Sequence, residues 1–492
     1  MENRTVPIVI AIAVGVFGVH AAVASGGGYL NYVSGIWLAL ANDLQHGVFY
    51  RELMTEGGYG GTRYFPLFFV VIGAFMRLGA SPLAAGWLAS ALTAMVLMSG
   101  MYALVRGLGG TRTIAGLFAA CAISSYFIQQ TLFEVRADVL AAALNVWGLA
   151  FLLRGWNPAT GRRPAPALSA LCFTLALAAK VTSLAVPIAA AAGLLVAGRH
   201  RLATAVSWRL MAGGAVFLAL VYWTSDGRAI ESWRACMFAG SDAGGTFGSV
   251  LDGYFLRMTR YSHLLKALLA LAVGAIAFAI WRASRDRDAS GWRSAAFIAT
   301  LFAGATGSTA LLLSSPGTVP SNQMVEWVLM VLVVLAFLAF VQPRLGRAVV
   351  VAVSVLTLWA SWQNVSRLRQ TWETRPTAAQ AAERERLLAR VAAAPAPVLA
   401  ESPLWPVVAS REVYMLDPFA LRVVMQSRKD IEGDLFARVE RRMFPMVILQ
   451  LDPATAIGQS YYPNVNFGWP LMEKILANYR LESHPLSDVY VY

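Results

Sequence analysis

In this chain of 492 residues the side chains able to do chemistry stand where apolar runs meet. In "FEVRADVL", Glu134, Arg136 and Asp138 separate two runs apolar enough to lie in lipid. Asp138 opens a helical pattern, where the macrodipole and unpaired N–H groups favour an anion. It is either an N-terminal cap or, with Glu134, a carboxylate able to take the proton of an attacking hydroxyl. Arg136 can pair with either carboxylate or contact a phosphate. "LALAAKVTSLAVP" sets Lys180 between two apolar runs, with Thr182 and Ser183 just after it. A lysine there is costly and turns to a cavity, the protein interior or the interface; with the two hydroxyls it suits a phosphate oxygen. "GGYGGTRYFP" gives backbone freedom and then Arg63, Tyr64 and Phe65 before Pro66. That is a cation embracing an anionic headgroup, or a turn with a snorkelling arginine. "SSPGTVPSNQMVEW" places Asn322 and Glu326 four apart, on one helical face, where they either hydrogen-bond a sugar or cap the helix.

The elements that must hold these groups are membrane helices. The chain is 58% hydrophobic and 14% charged, against about a quarter charged in soluble domains. Apolar runs approaching the ~20 residues that cross a bilayer cover 7–25, 65–78, 83–105, 113–128, 138–153, 166–180, 183–198, 209–224, 262–282, 293–313, 326–342 and 348–362. This predicts an all-α polytopic membrane protein, with the lipid bilayer as its first partner. The net charge of +13 falls in Arg clusters between apolar runs, which fits helix orientation and not nucleic-acid binding. Cys121 and Cys172 lie in apolar runs and Cys236 in a polar loop, so no disulfide framework is expected. The first run is long enough, and followed by enough others, to read as a retained helix and not a signal peptide.

Placing the basic loops 154–163, 199–209, 282–293 and 344–347 in the cytoplasm puts Asp138, Lys180, loops 26–64, 225–261 and 314–325 and all residues after 362 outside, with a cytoplasmic N-terminus. Segment 65–78 then begins and ends on one side. It is expected to be a re-entrant or interfacial piece, leaving about eleven full spans in a module of residues 1–362. In loop 26–64, Ile36, Leu40, Leu44 and Val48 make one apolar face opposite Asn42, Asp43 and Gln45, the pattern of a helix lying on the membrane surface. Loop 225–261, with Arg228, Arg234, Arg257 and Arg260 around a Gly-rich centre, is long enough for a cover over a site. Residues 363–395 read as a helical linker. In 396–492 the strand-like runs "APVLAES", "EVYMLD", "MVILQLD" and "DVYVY" alternate with helical stretches, which predicts a small α/β domain. No Gly-rich phosphate loop opens its helices, so it reads as a structural or recognition appendage.

In order and spacing, "LALANDLQHGVFYREL", "TRYFPLFF", "EVRADVLAAAL", "LALAAKVTSLAVP" and "PGTVPSNQMVE" resemble the GT-C superfamily of polyprenyl-phosphate-dependent membrane glycosyltransferases, near the aminoarabinose transferases and protein O-mannosyltransferases. "VLAESPLWPVVASREVYMLDPFAL" resembles the soluble tail many of them carry. The resemblance implies a sugar on a polyprenyl phosphate, transferred with inversion to an acceptor hydroxyl outside the cytoplasmic (inner) membrane. It implies Asp138 as the second-loop acid, Lys180 as a phosphate contact and Arg63 as the basic residue of the first loop; Arg257 or Arg260 of loop 225–261 are the further candidates for offsetting charge on the departing phosphate. Tyr64, Asn322 and Glu326 are the sugar or acceptor candidates. A divalent cation bridging carboxylate and phosphate is compatible with this set and not demanded by it. The acceptor, whether glycan, lipid or protein, is not legible.

One departure matters. The family's first-loop acid falls where this chain has Tyr32, Val33 and Ser34, and no acid lies between Glu2 and Asp43. Either Asp43, Glu52 or Glu56 supplies it, or Asp138 and Glu134 act alone, or the chain is a non-catalytic lipid-binding relative. A transporter or flippase of a lipid-linked substrate is the remaining class, although the chain shows no internal repeat of the kind such proteins carry.

Overall fold

Helix length decides what can cross a membrane, and in the computed structural model seven helices among the described residues are long and apolar enough. They are α1 (Thr5–Ala24), α4 (Pro82–Gly107), α10 (His200–Thr224), α12 (His263–Arg285), α13 (Ala289–Ser314), α14 (Pro320–Val341) and α15 (Pro343–Glu373). A pair, α5 (Arg112–Ser124) and α6 (Tyr126–Phe133), is bent by 62° at Ser125 and together has the length and apolarity of an eighth span or of a re-entrant loop. The structure describes residues 5–26, 29–238, 263–314, 320–373, 375–463, 465–486 and 489–492. Shorter apolar helices complete the bundle: α3 (Pro66–Arg77), α7 (Asp138–Leu153), α8 (Pro166–Ala179) and α9 (Ala185–Val196). At ~1.5 Å per residue the twelve residues of α3 reach about 18 Å, short of the ~30 Å hydrocarbon core.

α14 is apolar around its whole circumference and sits at the centre of the bundle, with Trp327, Leu329, Met330, Val331 and Val333 almost fully buried. α10 lies at the periphery and leaves Trp208, Met211, Leu220 and Trp223 exposed, as a lipid-facing helix does. The basic connections meet at one end. There the Trp156 indole donates to Ser294 at 2.9 Å, the Arg199 guanidinium lies 3.9 Å from the Trp156 ring, and Arg282 donates to Gln342 at 3.3 Å. The N-termini of α7 and α14 and the C-terminus of α8 are at the other end.

α2 (Tyr32–Gln45) departs from the expected surface helix. A capping box of Asn31 and Ser34 starts it, and residues 36–41 are almost fully buried on every side. It is wedged between α3, α4 and α17 (Leu404–Val408) of the C-terminal region. A Cβ at Gly35 would run into the Leu404 backbone, so glycine is what permits this approach. Amphipathic spacing shows that one face is buried; it cannot show that a distant segment covers the other.

The C-terminal sheet has the order β3-β4-β6-β5. β3 (Val398–Ala400) is parallel to β4 (Met446–Leu449), and β6 (Val489–Val491) is antiparallel to both β4 and β5 (Ser483–Leu486). The run "EVYMLD" joins neither edge. It meets the hairpin of β1 (Met54–Thr55) and β2 (Gly58–Tyr59), where Tyr59 N–H donates to the Tyr414 carbonyl at 2.8 Å and Leu416 N–H to the Tyr59 carbonyl at 3.0 Å. Gly58 has φ +128°, and any side chain there would strike the Tyr414 carbonyl. The first loop and the C-terminal region are therefore joined through backbone hydrogen bonds.

Candidate active site

Three helix ends bring one polar cluster together. Asp138 lies in the first turn of α7, Lys180 caps the C-terminus of α8, and Asn322 and Gln323 lie in the first turn of α14. Lys180 Nζ is 2.5 Å from Asp138 Oδ1 and 3.3 Å from Gln323 Oε1, and Asn322 Nδ2 donates to Asp138 Oδ1 at 3.3 Å. Deeper along the same face of α7, seven residues on from Asp138, Asn145 donates to Glu326 at 2.5 Å and to the Ser183 carbonyl at 2.9 Å. Lys180 and two helix N-termini, set against the carboxylates of Asp138 and, deeper, Glu326, give a phosphate a place to bind. The structure thus gathers four of the sequence candidates, Asp138, Lys180, Asn322 and Glu326. Gln323 and Asn145 were missed, although heptad spacing from Asp138 was a usable signal for Asn145.

The rest of "FEVRADVL" is a strained turn. Val135 has φ +51°, a conformation rare for a β-branched residue, and it redirects the chain from α6 to α7. Glu134 pairs with Arg136 at 2.6 Å and accepts from Gln130 at 2.8 Å, while its carbonyl accepts from Ser34 at 2.7 Å. Glu134 is therefore engaged with Arg136 and docks the turn against α2.

Arg63 belongs to a second cluster. Its Nε lies 3.9 Å from Asp417 Oδ2, and its guanidinium is 4.2 Å from the Phe419 ring and 5.6 Å from that of Tyr64. The Asp417 side chain is fully buried and the Arg63 side chain 31% exposed, so the arginine faces open space and the carboxylate lies behind it. Burial raises the pKa of Asp417, and the Arg63 charge with the Ala420 and Phe419 N–H groups opposes that shift. Tyr32 stands in the same field, close enough to feel Tyr64, Arg63, Asp417 and Arg136. Arg136 ties this cluster to the Asp138 turn. Asp417 was missed because it lies more than 350 residues along the chain from Arg63.

The other first-loop candidates are placed elsewhere. Asp43 is buried against Arg51, which also donates to the Val413 carbonyl, so the pair anchors the loop. Burial raises the pKa of Asp43 and the hydrogen bond with Arg51 opposes it. Glu52 is exposed and 3.5 Å from Arg228. Glu56 is exposed, and only its carbonyl is engaged, by Arg438 at 2.9 Å. The Tyr64 carbonyl accepts from Tyr50 at 2.8 Å and Trp233 at 3.1 Å, fixing the loop's exit into α3. Arg257 and Arg260 lie outside the described residues. Asp138 is taken by Lys180 and Asn322, and among the described residues no three His, Cys, Asp or Glu side chains converge.

The family model of glycosyltransferase family 87 matches residues 64–316. No curated protein matches the chain in sequence. Among solved structures, ArnT from Cupriavidus metallidurans bound to undecaprenyl phosphate superposes with a TM-score of 0.63 at 13% identity, covering 100% of this chain and 98% of that one. Its apo state gives 0.58 at 15% identity, covering 99% and 97%. The oligosaccharyltransferase of Archaeoglobus fulgidus in the apo form gives 0.54 at 12% identity, covering 94% of this chain and 72% of its own.

Proposed function

The chain belongs to glycosyltransferase family 87, and from that premise we propose that it transfers a sugar from a polyprenyl-phosphate donor to an acceptor hydroxyl, at the membrane face that carries the C-terminal domain. The observation that carries this reading is the convergence of Lys180, Asp138, Asn322 and Gln323 from three helix ends at one place. A phosphate oxygen there meets the Lys180 ammonium and the N-termini of α7 and α14. In the reaction the acceptor oxygen bonds to the anomeric carbon, the bond from that carbon to the phosphate oxygen breaks, and its electron pair leaves on the polyprenyl phosphate. A single displacement of this kind inverts the anomeric centre. Lys180 offsets the charge that develops on the leaving phosphate, and Asp138 holds the ammonium in place. Arg63, across Arg136, adds a second positive group. Orientation follows from the shared basic end, which we assign to the cytoplasm; the reaction then takes place outside the cytoplasmic membrane.

Undecaprenyl-phosphate mannose, glucose and arabinose, offered with octyl glycoside acceptors to the protein in nanodiscs, test this. Wild type is expected to form product with one donor, and Lys180→Ala to lose at least a hundredfold in rate. Labelled lipid crossing the bilayer uncleaved, or equal transfer by wild type and variant, would overturn the reading.

A further inference from the structure

The first loop lacks its acid, yet a carboxylate does stand beside Tyr32, where that acid is missing. It comes from the other end of the chain. Asp417 opens α18 (Pro418–Ser427), and one oxygen, Oδ1, caps that helix by accepting from Ala420 N–H at 3.0 Å. The other oxygen, Oδ2, is buried and accepts no hydrogen bond. Its nearest cation, Arg63 Nε, is 3.9 Å away, beyond hydrogen-bond length. An N-cap needs one oxygen only, so capping accounts for Oδ1 and leaves Oδ2 unexplained. A buried acceptor without a donor is destabilising, and a donor arriving with a ligand would relieve it.

The ligand's chemistry can be read from the surroundings. Oδ2 wants an O–H or N–H donor; Arg63 beside it wants an anion; Tyr32 and Tyr64 offer aromatic walls of the kind that flank sugars. Asp138 already receives Lys180 at 2.5 Å and Asn322 at 3.3 Å, Glu326 receives Asn145 at 2.5 Å and Glu134 is paired with Arg136 at 2.6 Å, which leaves each a poor proton acceptor. Asp417 is capped at Oδ1 by backbone N–H, while its Oδ2 has only Arg63 near it, beyond hydrogen-bond length. We propose that Asp417, supplied by the C-terminal domain, is the carboxylate that takes the acceptor's proton during sugar transfer. This rests on the transferase reading above. As the acceptor oxygen bonds to the anomeric carbon, its proton passes to Oδ2, while the electron pair of the broken bond leaves on the polyprenyl phosphate. The C-terminal domain is then part of the reaction centre, and the Tyr59–Tyr414 and Tyr59–Leu416 hydrogen bonds are what hold the acid over the membrane module.

Burial keeps the proton affinity of this carboxylate above that of an ordinary aspartate, which suits a base. The groups that face it are Arg63, Tyr59 and Tyr64 of the first loop, Tyr32 of α2 and Cys236 of α11 (Arg228–Phe238). All four neutral groups lie at raised pKa through burial, so Asp417 is the group among them whose deprotonation is expected to set the low-pH side of the profile.

The test uses Asp417→Asn and Asp417→Ser, both of which keep a capping oxygen, with the donors and octyl glycosides named above. Expected are a fall in kcat of at least a hundredfold, a donor KM within about threefold of wild type, and loss of the acid limb of the pH–rate profile. Asp138→Asn, by contrast, is expected to keep that limb. If both Asp417 variants retain the limb, or lose rate only in proportion to lost folded protein, Asp417 is a latch for Arg63 and the proposal falls while the transferase reading stands. If wild type turns over no donor, the transferase reading fails and takes this one with it.

Discussion

Lys180 and Asp138 form the pair whose structural and chemical roles can be separated most cleanly. At 2.5 Å two unit charges attract by about 7 kcal/mol at an effective dielectric of ~20, most of which repays desolvation. Lys180→Met leaves Asp138 buried, its side chain only 10% exposed, with Asn322 and the α7 N-terminus in partial compensation. Removing one partner of a fully buried pair costs about 3–5 kcal/mol; these compensations and the 22% exposure of Lys180 reduce that to roughly 2–3 kcal/mol. Asp138→Asn leaves Lys180 with Gln323 and some solvent, and is expected to cost about 1–2 kcal/mol. The double variant removes both charges of the pair and leaves Glu326 with its hydrogen bond from Asn145. It should be more stable than the sum of the singles by about 2 kcal/mol, a factor of roughly 30 in the folding equilibrium. The assay is a double-mutant cycle in nanodiscs, following tryptophan fluorescence on unfolding, with transfer measured on the same samples. Stability should return in the double variant and transfer should not, because the leaving phosphate still lacks its ammonium. Additive stability losses would refute the ion pair; recovery of transfer with stability would refute the role of Lys180 at the phosphate.

Glu401 is fully buried at the end of β3 and accepts from Gln450 N–H at 2.8 Å, Tyr462 at 2.9 Å and Asn466 at 2.9 Å. Glu401→Ala strands three donors and should cost at least 2 kcal/mol, read as a lowered Tm. Burial raises its pKa more than the three donors lower it, so its contribution to stability is fullest below the ordinary glutamate range of ~4.3 and declines as pH rises through the raised value. Glu401→Gln should remove that decline in a pH series of Tm. Asp43→Asn, which releases Arg51, should lower Tm while transfer by the folded protein stays within about twofold; Glu56→Ala should change neither, and a large kinetic defect in either would restore the first loop as the source of the acid. Gly58→Val should loosen the C-terminal domain, seen as protease cleavage between 374 and 396, because a side chain there meets the Tyr414 carbonyl.

How far the sequence reads through to the site depends on chain distance. Lys180 and Asn322 were picked out because polar groups between apolar runs are costly and must face something. Their common partner, Asp138, was picked out in the same way, and short helices with forced ends left them little freedom. Asp43 shows the opposite case. As the acid nearest the vacant first-loop position it looked functional, but Arg51, eight residues on, holds it. Nothing in local spacing separates an acid neutralised by a loop arginine from one aimed at a substrate.

Apolar length and the placement of arginine determined by themselves that this chain is a polytopic membrane protein, that its basic loops gather at one end and that Asp138 and Lys180 lie at the other. Those facts follow from the cost of putting charge in hydrocarbon, which each segment meets alone. Tertiary structure alone decided that α2 is roofed by Leu404–Val408, that Tyr59 pairs with the 414–416 run, and that Asp417 stands beside Arg63. These contacts join residues more than 350 positions apart, where no periodicity reaches and only packing of the finished fold brings the partners within a few ångströms.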